Sequence, residues 1–217
     1  MGADAHIGIT SPARATTESA AIAQAARWIA GCRRLEMQGL ADELRISRVT
    51  LFRTVGIREE LLSKALWVLT EQTLALAARR WESERSNGEL HSVGTGRHIN
   101  TLVSRSSALH TLLDQEPALT LKVLTDPRGR VQTGVVAFVE ELLRRDMREH
   151  ELVLIADPGA LAFALVRLGE SFLYADVLAA RPPDADAANR IQQMLIEGHR
   201  PTHAPTRPAT RFETFAR

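Results

Sequence analysis

Ser47, Arg48, Thr50, Arg53 and Thr54 fall within eight residues, and on a helix they occupy its outer side. Hydroxyl and guanidinium groups in one patch donate to phosphate oxygens and to base edges, which is the chemistry of a helix seated in the DNA major groove. Val49 and Phe52, with Ile46, can supply the apolar back that such a helix needs, and Ser47 can cap its first turn by accepting from a free N–H. Just upstream, Leu40, Ala41 and Leu44 place apolar groups at i, i+1 and i+4 of a preceding short helix, and Arg45-Ile46 forms the turn between the two. Two short helices and a tight turn make a helix-turn-helix. A plain amphipathic helix pair in another all-α protein would share the surface arginines, but not this order of cap, apolar spacing and basic front.

The segment resembles the DNA-binding domain of TetR/AcrR-type regulators. The carrying residues are Leu40-Ala41 at the positioning helix, Ser47-Arg48-Val49-Thr50-Leu51-Phe52 at the recognition helix, and Arg58-Glu59-Glu60-Leu61-Leu62 where the next helix starts. Ile22, Ala25, Ala26 and Ile29 match the core of that family's first helix, so the likeness covers roughly residues 17–66. The run VTLFRTVGIREELL is similar to the branch named for quorum-sensing signal degradation (QsdR-like). The resemblance implies an all-α chain with a three-helix head and a helical ligand-binding and dimerisation domain. It implies DNA contacts from Gln38, Ser47, Arg48, Val49, Thr50, Phe52, Arg53, Thr54 and Arg58. Departures fall in the same stretch: Arg45 stands where the family has a turn glycine, Phe52 replaces Tyr, Thr54 replaces His or Tyr, Ile57 replaces a Ser/Asp cap, and Glu36 replaces Thr. They place the phosphate load on Arg48, Arg53 and Arg58, and Arg45 predicts either a strained turn or one of different geometry.

At 217 residues the chain holds one or two domains, and 45% apolar content is enough for a core. Net charge is +1, and residues 1–64 carry nine basic against seven acidic groups, a quiet footprint for a DNA binder. Cys32 is the sole cysteine, which excludes an intrachain disulfide and a thiolate metal site. The first residues lack the long apolar run of a secretory signal, and the apolar stretch 152–180 is broken by Asp157, Pro158, Arg167, Glu170 and Asp176, so no membrane partner and a cytoplasmic location are expected.

The pattern divides into a flexible N-terminus (1–16), a helix-turn-helix domain (17–66), a helical ligand-binding and dimerisation domain (67–198) and a flexible tail (199–217). Periodicity predicts helices near 17–31, 37–45, 47–54, 58–84, 96–103, 105–114, 116–125, 128–149, 157–181 and 185–198. Residues 86–96 read as a loop.

Helix 157–181 is apolar nearly all round, broken at i, i+3, i+4 and i+7 by Arg167, Glu170, Ser171 and Tyr174. That stripe reads in one of three ways: a solvated Arg167–Glu170 pair, a dimer contact, or, with Phe163 and Trp67, the polar anchors of a ligand pocket. The opposite face, Ala162, Val166, Gly169 and Leu173, allows close helix approach. The family's dimer interface, formed by the last two long helices, implies those residues with Ile191, Met194 and Leu195. His91, His98 and His110 lack metal-ligand spacing, and no catalytic motif is present, so no metal, cofactor or enzyme activity is expected.

These features point to a DNA-binding regulator, a repressor released from a near-palindromic double-stranded operator by a small apolar or lactone-like effector and acting as a homodimer. The alternatives are an activator, a regulator without a small ligand, or an all-α ligand-binding or adaptor module with a vestigial head. The operator, the effector, the regulated genes and the sign of regulation are not written in the chain.

Overall fold

A computed structural model describes residues 12–85 and 88–198 of the chain. The expected flexible tail, residues 199–217, lies outside them, as do residues 1–11. Among the described residues every regular element is a helix: α1 (Pro12–Ala30), α2 (Met37–Glu43), α3 (Arg48–Val55), α4 (Arg58–Glu84), α5 (His91–Ser104), α6 (Ser107–Gln115), α7 (Pro117–Thr125), α8 (Arg130–Glu149), α9 (Pro158–Leu173), α10 (Ala175–Ala179) and α11 (Ala185–Glu197). The first helix starts at Pro12 rather than near 17, so part of the expected flexible N-terminus is helical.

The head forms because α1 packs on α4 while α2 and α3 pack on α1 and on each other, around Ala21, Ala25, Ile29, Leu40, Ala41, Leu51, Val55, Leu61 and Leu62, all essentially inaccessible. Arg45 takes the turn with φ +56, in the left-handed region that a glycine would adopt without cost. Ser47 caps α3, its hydroxyl accepting from Thr50 N at 3.0 Å. At the next junction Ile57 offers no cap, and Glu60 compensates by accepting Ile57 N–H at 3.1 Å. Between them Gly56 has φ +83, and a Cβ there would stand 1.5 Å from Glu60 Oε2, so this junction requires glycine.

The expected boundary at 66/67 is not a gap in packing. One buried cluster runs from the head through Leu66 to Leu112, Leu124, Val131, Leu173 and Tyr174, while a second gathers Leu90, Leu143, Leu161, Leu165 and Ile196. The long helix α4 carries the chain from the first packing environment into the body, where it meets α5, α7 and α8.

Two helices depart from the periodicity. The expected loop 86–96 gives way to α5 at His91, because the Asp146 carboxylate on α8 accepts the N–H groups of His91 (2.7 Å) and Ser92 (2.8 Å), serving donors that Leu90 cannot cap. The expected helix 157–181 breaks at Tyr174. Its carbonyl accepts from Val177 and Leu178, and the short α10 ends at Ala180 in the left-handed conformation.

Candidate effector cavity and nucleic-acid interface

On α3 only Leu51 and Val55 turn inward. Val49 and Phe52, read as the apolar back, face outward instead, 67% and 53% exposed. The reason is register: Leu51 and Val55 are one turn apart, and the residues flanking them are carried to the opposite side. Arg48 and Arg53 are exposed beside them. The Ser47 and Thr50 hydroxyls are 2.8 Å apart, and Thr54 Oγ1 donates to the Thr50 carbonyl at 2.8 Å. Gln38 is exposed on α2 and donates to Asp42 Oδ1 at 2.8 Å. The outer surface of α3 thus presents a cation, hydroxyls and two bare apolar groups together.

Arg58 does not join that surface. Its Nε donates to the Leu35 carbonyl at 2.7 Å, and its two terminal nitrogens donate to both oxygens of Glu116 at 2.7 and 2.6 Å. Arg34 adds a 3.4 Å contact to the same carboxylate. The Arg58 guanidinium, with burial opposing and Arg34 assisting, holds the Glu116 carboxyl below its ordinary range. The expected phosphate contact is therefore a bidentate clamp tying the head to the α6–α7 junction.

The body holds a cavity of about 360 Å³, partly open to solvent. Its walls are mostly apolar, from Leu69 and Leu74 of α4, Val93 and Val103 of α5, Val135 and Leu142 of α8, and Leu165 and Leu173 of α9. Ile29 of α1 and Leu66 of α4 also line it, so the cavity touches side chains that pack the head. Polar groups converge at one region: Glu170, Tyr174, Gln132, Asn100 and Gln192. Asn100 donates to Asn189 Oδ1 and Gln192 Oε1, both at 2.7 Å, and Gln192 donates to the Leu165 carbonyl at 2.8 Å. Glu170 accepts from Arg167 at 2.7 Å on one oxygen. The Gln132 amide, with its nitrogen facing the carboxylate, donates to the other at 2.5 Å. Burial pushes the Glu170 carboxyl up to about 7, against the opposing pull of Arg167. Burial, and then the nearby Glu170, push the Tyr174 phenol up, so its hydroxyl stays a donor.

The faces expected on α9 are found only in part. Of the anticipated pocket residues, Glu170 and Tyr174 line the cavity, whereas Phe163, Arg167 and Ser171 point outward, Phe163 being 48% exposed. Trp67 packs on α8 instead, where a Cβ on Gly134 would lie 2.1 Å from its ring. Of the anticipated dimer residues, Val166, Gly169 and Leu173 line the cavity and Ala162 is fully buried. Leu195 packs against the second cluster. Ile191 and Met194 remain outside, Met194 at 67% exposure. A helix that is apolar nearly all round does not announce which side its neighbours will take. Sequence reasoning missed Asn100, Gln132 and Gln192, polar residues on three different helices that only the fold assembles.

Residues 87–197, just over half of the chain, match the family model described as "Tetracyclin repressor-like, C-terminal domain". Among solved structures the chain is similar to that described as the R. erythropolis transcriptional repressor QsdR from the TetR family: 27% identity, covering 84% of this chain and 95% of that one, with a TM-score of 0.74. A looser likeness, at 20% identity and TM-score 0.41, covers 83% of this chain and 98% of AibR in complex with isovaleryl coenzyme A and operator DNA. No curated protein sequence matches.

Proposed function

The chain belongs to the TetR family of regulators, and on that premise we propose that it is a homodimeric DNA-binding repressor released from a near-palindromic operator by a small, largely apolar effector. One observation carries the reading: a largely apolar cavity with polar lining residues shares side chains, Ile29 and Leu66, with the packing of the reading head. An occupant that reshapes this wall favours one placement of the head over another, which is what effector control requires.

In this reading α3 enters the major groove. Arg48 and Arg53 donate to bases or phosphates, Ser47, Thr50 and Thr54 add hydroxyl contacts, Gln38 reaches the backbone, and Val49 and Phe52 meet thymine methyls. Arg58 positions the head through Glu116 rather than touching DNA. The outward residues of α9 and α11, namely Phe163, Arg167, Ser171, Ile191 and Met194, form the subunit interface. Glu170 and Tyr174 hold the polar end of the effector and the apolar walls hold its tail, a fit for an acyl or lactone-like molecule. The chain has no enzymatic role in this reading, and no described helix is long and apolar enough to cross a membrane.

Selection of bound DNA from a random pool, repeated with lactones of increasing chain length, tests the proposal. A two-half-site motif that is lost on adding one of them is the expected result. No enriched sequence would leave the head vestigial, and enrichment insensitive to any apolar ligand would remove effector control.

A further inference from the structure

Where the end of α8 meets the start of α5, three metal-type donors gather, two of them buried and the third half-buried. His91, Asp146 and His150 each offer a ligand atom, and these atoms all lie within 4.8 Å of one another. His91 and Asp146 are at most 1% exposed. Asp146 lies in the last turn of α8, and His150 caps the helix end four positions on, its N–H donating to the Asp146 carbonyl at 2.9 Å. The buried Nε2 of His150 has no hydrogen-bond partner. A buried imidazole nitrogen without a partner, on a residue of this cluster, calls for a ligand.

The surroundings supply what such a site needs. Three carboxylates stand around the two imidazoles: Asp146, Glu149 at 3.0 Å from His91 Nε2, and Glu82 at 3.5 Å from His91 Nδ1. Arg145 bridges Glu82 and Glu149, and Arg85 lies 3.5 Å from Glu82, leaving the three carboxylates with one negative charge in excess of the two arginines. Glu149 holds the Nε2–H of His91, the carboxylate–histidine arrangement that orients a metal-binding ring and leaves Nδ1 to ligate. In the unliganded arrangement the Trp81 indole N–H donates to that Nδ1 at 3.1 Å. Asp146 Oδ2 already accepts from Ser92 N and Oγ, whereas Oδ1 accepts only from His91 N and keeps a lone pair.

We propose that His91 Nδ1, His150 Nε2 and Asp146 Oδ1 bind one divalent transition cation of the zinc type. Two imidazoles and a carboxylate suit zinc and its late first-row neighbours. Tetrahedral zinc with bonds near 2 Å sets its donors about 3.3 Å apart, so from separations of up to 4.8 Å each donor must move by up to roughly 0.8 Å. The cation displaces the Trp81 N–H from Nδ1, so one hydrogen bond is exchanged for three metal bonds. It ties α8 to the start of α5, whose Ser92 lines the effector cavity.

Chelator-stripped full-length protein titrated with zinc tests the site. One equivalent per chain is expected, with a higher melting temperature and a changed tryptophan emission as the Trp81 hydrogen bond is released. X-ray absorption on the zinc complex should show two imidazole nitrogens. His150→Ala should lower zinc affinity by about a hundredfold, and His110→Ala, an exposed histidine of α6, should leave it unchanged. His91 is buried and its replacement risks misfolding, so His150→Gln serves as the second variant and should lose zinc equally. Absence of stoichiometric binding, equal affinity in His150→Ala and the wild type, or an all-oxygen shell would each overturn the assignment. DNA binding is not the readout, so a failure here leaves the regulator reading standing, and the converse holds.

Discussion

Helices α3 and α9 both leave large apolar side chains bare, yet they bury opposite kinds of residue. Beneath the exposed Val49 and Phe52, α3 buries only Leu51 and Val55, and its polar groups stay on the open side. Beneath the exposed Phe163, α9 buries a carboxylate, Glu170, among small and apolar residues. A one-sided helix with apolar groups among its outer donors is built to be covered from outside. A helix that hides a carboxylate has something to bind on both sides, because a buried polar group needs a partner.

The sharpest way to break this contrast is to put one charge on each side of α9. Ala162→Arg forces a long cation into a fully buried site and should cost well over roughly 3 kcal/mol, unfolding the chain in a thermal melt. Its neighbour Phe163→Arg should melt close to wild type and run as a monomer in light scattering. Similar melts for the two variants would erase the distinction between the faces.

On α3 the contrast predicts that side-chain loss is felt by DNA and not by the fold. Arg48→Ala should weaken operator binding by roughly 1–3 kcal/mol in a mobility-shift titration, with an unchanged melt. Arg58→Ala should do the reverse: the salt dependence of DNA binding stays put while the head loosens, seen as faster amide exchange in α1–α3. A flattened salt slope for Arg58→Ala would return that residue to the DNA surface.

The buried carboxylate makes its own prediction. Glutamate ordinarily titrates near 4.5, and in the fold Glu170 is pushed up to about 7. Folding therefore favours its protonated form. This contribution is complete below pH 4.5 and is lost as pH rises through 7, on the order of 2 kcal/mol after allowance for screening. Glu170→Gln should flatten the stability profile across that window, measured by denaturant titration at several pH values. An unchanged slope would mean that Arg167 and Gln132 keep the carboxylate ionised. The smallest effect is at the cap of α3, where Ser47→Ala should cost about 1 kcal/mol of stability.

The head was legible because its signals are short-range. A cap, a turn and apolar spacing within 25 residues specify α2, α3 and the start of α4; of the two readings that Arg45 left open, the strained turn is the one found, at φ +56. The body was not legible to the same degree. The start of α5 depends on Asp146, 55 residues away, and no local residue marks it. The polar end of the cavity depends on Asn100, Gln132, Glu170 and Gln192 arriving from four helices. The inside of α9 is fixed by α8 and α11 rather than by its own pattern, so Glu170 and Tyr174 line the cavity as expected while Phe163, Arg167 and Ser171 turn outward and the small-residue face turns in. Even within α3, Val49 and Phe52 were put on the wrong side, because a helix of eight residues offers too few turns to fix its rotation.

The shared wall of Ile29 and Leu66 has a thermodynamic reciprocal. If filling the cavity weakens the grip on DNA by a given factor, then DNA must weaken the hold on the effector by that same factor. Couplings of this kind run to roughly 1–3 kcal/mol, or about 5–150-fold. Protein seated on its operator would thus answer to higher effector levels than protein free in solution. Adding decoy operators would shift the whole dose–response curve rather than only its amplitude.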